Sequence, residues 1–535
     1  MNYNFVGKNR KETPQNKPIP GRESEMKKNL AGGYSFKASD WTALRRWLLV
    51  GSMSGAYYQG KEEMTEANIK VLNRCIKANA SKVGEEIIDA SKKGTSVHTP
   101  IFALVVLSMG DASSKNVFRD IFNSVIRTAS HLYEFTSYVK DMRGFGSVIH
   151  KAVNGWLDAK EAKELEYQLL KYQNRNGWTH ADILRKFKPK TEDVNKNSVY
   201  KWAVGKGFNI VEANGLNRIA GYEILKSAST SEDAVILMIN DLKLTHEMIP
   251  ANIKRTTGIW EALFHNMPVG ATIRNLGNLT EKGIFKNVAN LDLLEKKLSK
   301  ENLAKAYIHP INFASALLVY QSGGHLGRSK LTWNTVPRIL DIMNQGIQDC
   351  FEVLEPTGKQ FFYALDVSGS MTGNMVGNMW LAPYQVAGIL ALASVKSEKN
   401  YFVGGFDTRF KVLQRITKNC SYSEIVDWGS GVWPGNFGGT NASVAYDYAI
   451  KNDIFADVFV FVTDSESWTG HRHPSQALKE YRSKINPNAK SIYITLVPYS
   501  DRVSLVDPKD PRSYDVASFT SQTPKMIQMV ANDEI

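Results

Sequence analysis

Residues 361–371 read Phe361-Phe362-Tyr363-Ala364-Leu365-Asp366-Val367-Ser368-Gly369-Ser370-Met371. A continuous apolar run that stops at an acid and then turns through small hydroxyl residues predicts a strand buried on both faces, with a polar site at its carboxyl end. The same texture recurs downstream. Residues 401–406 are apolar and end at Asp407, residues 456–463 end at Asp464, and residues 491–497 form a further run. Helical stretches at 383–395, 441–450 and 474–481 lie between them. Alternating buried strands and helices predict a mostly parallel sheet covered on both faces, whose ligands sit at the carboxyl ends of its strands. The acidic turns fall at those ends.

Asp366, Ser368 and Ser370 place one carboxylate and two hydroxyls on alternate residues of a turn, so three hard oxygens can converge. Gly369 eases the turn. Thr440, in Gly438-Gly439-Thr440-Asn441 ahead of a helix, offers another hydroxyl, and Asp464 another carboxylate. Oxygen-only ligands with few charges suit a divalent cation such as Mg²⁺, which keeps several waters. The arrangement resembles the metal-ion-dependent adhesion site of von Willebrand factor A domains. That resemblance implies Ser368, Ser370 and Thr440 as direct ligands, with Asp366 and Asp464 holding waters on the metal. It also implies an open position for a partner's carboxylate. The bland alternative is a Ser-capped helix start with unrelated acids nearby.

Outward from this region the texture changes at Pro356-Thr357-Gly358. From 41 to about 346 apolar residues recur at helical spacing, as in Ala43, Leu44, Trp47 and Leu48, or Ile101, Leu104 and Val105. Ser39-Asp40 and Thr65-Glu66 read as helix starts. Many helices separated by short turns predict stacked helix pairs, although no clean repeat period is visible. Residues 1–30, with Pro14, Pro18 and Pro20, predict a mostly extended arm. The expected organisation is therefore an arm at 1–30, an all-α part at 31–355 and an α/β part at 356–535.

Charge divides the chain at the same place. The 535 residues carry 66 Lys and Arg against 53 Asp and Glu, a net of +13. Residues 356–535 hold 17 of each kind, so the whole excess lies in residues 1–355, ahead of the α/β part, and suggests a polyanionic partner. Solubility is the competing explanation. The three cysteines, Cys75, Cys350 and Cys420, are far apart. That is neither a disulfide framework nor a zinc spacing, and it suggests a reducing, cytoplasmic setting. No apolar h-region opens the chain and no apolar stretch approaches membrane-spanning length, so neither a signal peptide nor a membrane partner is expected.

A second resemblance covers nearly the whole chain. Thr13-Pro14-Gln15, Pro18-Ile19-Pro20-Gly21-Arg22-Glu23 and Asn29-Leu30-Ala31-Gly32-Gly33-Tyr34 open it. Leu44-Arg45-Arg46-Trp47-Leu48, Gly51-Ser52 with Tyr57-Tyr58, Arg127-Thr128-Ala129-Ser130-His131 and Arg143-Gly144-Phe145-Gly146 follow. Then come Tyr172-Gln173-Asn174-Arg175-Asn176-Gly177-Trp178-Thr179-His180, Ile273-Arg274-Asn275-Leu276-Gly277 and Thr463-Asp464-Ser465-Glu466-Ser467-Trp468. In this order the blocks resemble the Ro 60 kDa autoantigen family. The resemblance implies a multidomain fold: an all-α HEAT-like repeat ring, the TROVE module, plus a Rossmann-like α/β von Willebrand factor A domain. It further implies a non-enzymatic, monomeric RNA-binding protein. A Y-like small RNA would lie on the outer surface, and misfolded structured RNA would enter the ring by its single-stranded 3′ end. In bacterial relatives an exoribonuclease is tethered by the RNA.

Carried over, Lys171 and Arg175 match family positions that contact Y RNA, and they read as an i,i+4 cation pair on one helix face. Lys188 stands where the family has a His. Arg127, Arg143, Arg274 and His180 lie in the matching blocks and are further candidates for RNA contact, with core packing as the competing role of His180. Arg45 and Arg46 read equally as RNA contacts or as a solvated helix face. Asn441 departs from the Asp of many relatives. A hydrolase finds little support: His246-Glu247 is followed by Met248-Ile249-Pro250, so the HExxH pattern fails. The rival from another class is a metal-dependent protein-adhesion module with the helices as scaffold.

Overall fold

A computed structural model describes residues 12–50, 61–208, 215–227, 231–250, 253, 255–326, 331–351, 355–372, 380–433, 438–497, 499, 502–516 and 519–534. The sequence blocks at Gly51-Ser52 and Tyr57-Tyr58, and the first eleven residues of the arm, lie outside them. The chain forms two compact units. One gathers the described residues of Met1–Val71, Pro310–Leu318 and Phe351–Ile535; the other gathers Leu72–His309 and Val319–Cys350.

The first unit is built on the apolar runs. β1 (Met26–Lys28) and β2 (Tyr34–Lys37) come from the N-terminal segment. β3 (Gln360–Asp366), β4 (Asn400–Phe406), β5 (Phe410–Val412), β6 (Val458–Thr463), β7 (Lys490–Thr495), β8 (Val503–Ser504) and β9 (Ser513–Val516) come from the C-terminal part. Six of them form one sheet in the order β5-β4-β3-β6-β7-β9. It is parallel except at β5, whose pairing with β4 is antiparallel. Period-two alternation splits β3 between two layers. Phe362 and Ala364 join Phe459, Phe461 and Tyr493 in a core with Ala445, Tyr446, Ala449, Leu478 and Tyr481 from helices Ser443–Lys451 and Pro474–Lys484. Helix Pro383–Ser397, buried along almost its whole length, packs on β3 and β6.

The N-terminal segment corrects the expectation of an extended arm. Residues 23–37 form a short 3-10 turn and the β1–β2 hairpin, and β2 pairs with β8 to make a second sheet. The reason is local bookkeeping of backbone groups: a strand without a partner leaves its N–H and C=O groups unpaired, and β8 supplies that partner. Helix Asp40–Val50 starts where expected, with the Ser39 hydroxyl accepting from the Thr42 N–H. Thr65-Glu66, in contrast, lie inside helix Lys61–Ala78 and not at its opening.

The second unit is all helix among its described residues. The helices pack on those one to three places along the chain. Ala80–Lys93 meets His98–Leu107 and Ala112–Val125, and His98–Leu107 meets Ala129–Met142. Ala162–Lys171 meets Val194–Ala203 and Asn217–Ser227, and Glu232–Leu242 meets Thr257–Asn266. Such near-neighbour packing is the mark of a helical repeat array. Asp111, Thr128 and Ser231 cap helix starts, each side chain accepting a first-turn N–H. No helix among the described residues is long and apolar enough to cross a membrane.

Candidate metal centre and nucleic-acid interface

Because β4, β3 and β6 run parallel and in register, their carboxyl ends bring Asp407, Asp366 and Asp464 to one edge of the sheet. Asp366 is fully buried. Its Oδ1 accepts the Ser368 N–H at 2.9 Å and its Oδ2 accepts the Thr463 hydroxyl at 2.5 Å. The Ser368 and Ser370 hydroxyls stand 3.2 Å apart, both buried. The loop bearing Gly438 closes onto the turn, its carbonyl accepting the Gly369 N–H at 3.1 Å. Thr440 is 1% exposed, and its carbonyl accepts the N–H groups of Trp468 and Thr469 at 3.0 and 3.1 Å. Asp464 is equally buried and its Oδ1 takes the Glu466 N–H.

Burial, and then the charge of Asp464, push the Asp366 carboxyl well above the usual carboxylate range. Two carboxylates held close in a dry place are costly without a cation. The donor set fits a hard divalent ion: two carboxylates and three hydroxyls, oxygen only. Sequence reasoning left Asp407 out of that set. It is 5% exposed, accepts the Arg409 N–H at 2.8 Å, and its backbone carbonyl accepts the Asn441 N–H. The signal for it was an acid ending an apolar run.

The candidate RNA residues separate into surface and interior. Lys171 ends helix Ala162–Lys171; its Nζ donates to the Tyr167 hydroxyl at 2.9 Å and lies 5.2 and 5.5 Å from the Tyr167 and Tyr172 ring centres. Burial alone would pull its pKa down, but the tyrosine hydroxyl and nearby negative charge hold it above the ordinary lysine value. Arg274, exposed on helix Val269–Glu281, acts electrostatically on the same Tyr172. Arg218 lies 5.7 Å over the Tyr167 ring. The fold thus sets Lys171 beside Tyr167 and Tyr172 and adds Arg218 over Tyr167, for which spacing gave no sign.

Arg175 corrects the expected i,i+4 pair, because the helix stops at Lys171. Asn176 and Gly177 turn the chain with φ of 52° and 75°, and Arg175 and Trp178 exchange both backbone hydrogen bonds. Asn-Gly is the dipeptide that favours this tight turn, so it ends the helical run. Lys188 is exposed and left-handed, with φ 48°, at the end of helix His180–Phe187. Arg45 is exposed.

The remaining candidates are drawn into structure. Arg46 is 5% exposed and holds Asp515 through two bonds of 2.6 and 2.8 Å, with a third to the Val503 carbonyl, so it is a core ion pair and not a surface cation. His180 is buried against Tyr133, and burial drives its pKa down to about 3. Arg127 donates to the Ser91 hydroxyl and carbonyl, and Arg143 to those of Ser108, each tying a helix end.

A family model described as the TROVE domain matches residues 27–219 and 225–334, and one described as the Ro60 vWA domain matches residues 360–531. The chain belongs to the Ro60 family. The RNA-binding protein RO60 of Caenorhabditis elegans is 27% identical over 97% of this chain and 92% of its own length. The RNA-binding protein RO60 of Deinococcus radiodurans is 28% identical over 98% of both. The crystal structure of the Deinococcus radiodurans RO (RSR) protein superposes with a TM-score of 0.66 at 27% identity, covering 93% of this chain and all of that one. Ro60 membership therefore accounts for both halves, the helical repeats and the α/β domain with its oxygen-lined sheet edge.

Proposed function

We propose that this Ro60 protein binds RNA through its helical part and carries a divalent cation, Mg²⁺ by its donor chemistry, at Asp366, Ser368, Ser370, Thr440 and Asp464. The observation that carries the RNA reading is the pair of cations Lys171 and Arg218 set against Tyr167, with Tyr172 beside Lys171. Cations beside aromatic faces follow a phosphate backbone and stack on unpaired bases. It sits in the part of the chain that holds the entire positive excess, and two full-length relatives are named RNA-binding proteins. Arg175 and Lys188, both exposed, extend the surface. The ligands are a Y-like small RNA on the outer face and structured RNAs that offer a single-stranded 3′ end, with an exoribonuclease joined through RNA to the monomer. In the α/β domain the cation's open position takes a partner's carboxylate, a role independent of RNA.

The test is sequencing of RNA crosslinked to the protein in its own cells. One abundant hairpin-rich small RNA, together with assorted RNAs carrying single-stranded 3′ ends, is the expected recovery. No enrichment over a matched basic protein would leave the metal-dependent adhesion reading standing alone.

A further inference from the structure

We propose that Gln15 is a positioning residue of the metal centre, so that the N-terminal segment, more than 400 residues away in sequence, sets the divalent-cation affinity of the C-terminal domain. The inference rests on the cation reading above. Gln15 is 1% exposed. Its Nε2 donates to Asn441 Oδ1 at 2.6 Å and its Oε1 accepts the Ser467 hydroxyl at 2.5 Å. Asn441 adjoins Thr440, and Ser467 lies three residues past Asp464. One amide side chain therefore bridges the two loops that bring the distant ligands to the Asp366 turn.

The backbone closes around the same point. Gln15 N–H donates to the Gly470 carbonyl at 3.2 Å, and the Gln15 carbonyl accepts the Tyr34 N–H at 2.7 Å. Asn29 Nδ2 donates to the Ser467 carbonyl at 2.8 Å, and the Ala31 N–H donates to Glu466 Oε2 at 3.0 Å. At Gly33 a Cβ would fall 2.3 Å from the Ser467 carbonyl oxygen, so only glycine allows this approach. The Ser467 hydroxyl also accepts the Ala442 N–H at 3.0 Å, and Asn441 Oδ1 accepts Ser443 N–H and hydroxyl at the helix start.

Gln15 acts through its neighbours. Its amide partners are Asn441 and Ser467, each of which orients a segment that presents a ligand. A site made of hydroxyls and water-bridged carboxylates has few strong bonds to enforce its own geometry. Its affinity then depends on how well the outer contacts fix the donors, and loss of such contacts typically costs about 10–100-fold in metal affinity.

The experiment is calorimetric titration of the full chain with Mg²⁺ and Mn²⁺, paired with thermal unfolding of the metal-free protein. Gln15→Ala is expected to weaken both ions about tenfold or more while the metal-free melting temperature moves by only a few degrees. Gln15→Glu keeps the acceptor for Ser467 but sets a carboxylate oxygen against Asn441 Oδ1, itself an acceptor, and is expected to weaken both ions as well. Gln476→Ala removes the acceptor of the Thr13 N–H, loosening the same segment away from the loops, and is expected to leave affinity unchanged. Equal affinity in Gln15→Ala and the parent overturns the proposal, as does an equal loss in Gln476→Ala, which would mark a merely structural strap. A parent protein that binds neither ion overturns the cation reading and this inference with it.

Discussion

His180 shows how a residue chosen for RNA contact is put to another use. Its ring sits edge-on to Tyr133, 5.3 Å between centres, and both ring nitrogens are buried without a hydrogen-bond partner. A neutral imidazole tolerates that place and an imidazolium does not, so burial lowers its pKa to about 3. His131 follows the same rule, pulled by burial and then by Arg127 to about 4. The unfolded chain titrates both near the ordinary value of about 6.5. A depressed folded pKa gives stability that is fully present above that value and drains as pH falls toward the folded one. Each group then adds up to about 1.4 kcal/mol per pH unit within its window. His98 has the opposite sign: its bond to Glu134 raises its pKa, so its contribution is full in acid and fades as pH rises through the folded value. His180→Leu is accordingly expected to flatten the loss of stability between about pH 6.5 and pH 3, measured by denaturant unfolding at fixed ionic strength. An unchanged acid limb would mean that the imidazole finds a partner after all.

At the scale of elements, the turn from Arg175 to Trp178 decides where the basic surface points. Gly177 has φ 75° with nothing within 4 Å of a would-be Cβ, so substitution there adds backbone strain and no collision. Gly177→Ala is expected to cost about 1–2 kcal/mol and to weaken folded-RNA binding several-fold by tilting Arg175, with helix content intact by circular dichroism. Undiminished binding in the folded variant would remove Arg175 from the interface. The helical run was legible to Lys171 and was extrapolated one turn too far, although Asn176-Gly177 carried the stop signal. The strands β3, β4, β6 and β7 were legible to within two residues because four apolar runs each end at a turn. β5 and β9 were not, since these short edge strands are mostly half-buried and lack an apolar run. Asp366, Ser368 and Ser370 of the candidate set stand out in the sequence because their spacing is local, whereas Thr440 and Asp464 are added only by their place at strand ends. Gln15 could not, because its meaning lies wholly in contacts to Asn441 and Ser467 that no local pattern encodes.

Along the sequence, the net positive excess lies in residues 1–355 and the candidate oxygen cluster in residues 356–535. The proposed RNA and cation sites would obey different physics. Cation–phosphate contacts release counterions, so the logarithm of RNA affinity falls linearly with the logarithm of salt, by about 0.9 per duplex phosphate neutralised. A coordinated cation responds to chelator and is little affected by moderate salt. Lys171→Ala with Arg175→Ala is therefore expected to lower both the affinity for a folded small RNA and the salt slope, the latter by roughly 1–2, with thermal stability nearly unchanged. Ser368→Ala with Asp464→Ala is expected to abolish Mg²⁺ binding and to leave the RNA affinity and its slope where they were. Filter binding across a salt series, with and without chelator, reads the RNA affinity and slope of each variant, while calorimetry reads Mg²⁺ binding and thermal unfolding the stability. If chelator or the Ser368/Asp464 variant lowered RNA affinity, the metal would belong to the RNA site, and the charge boundary near residue 355 would not be a functional one.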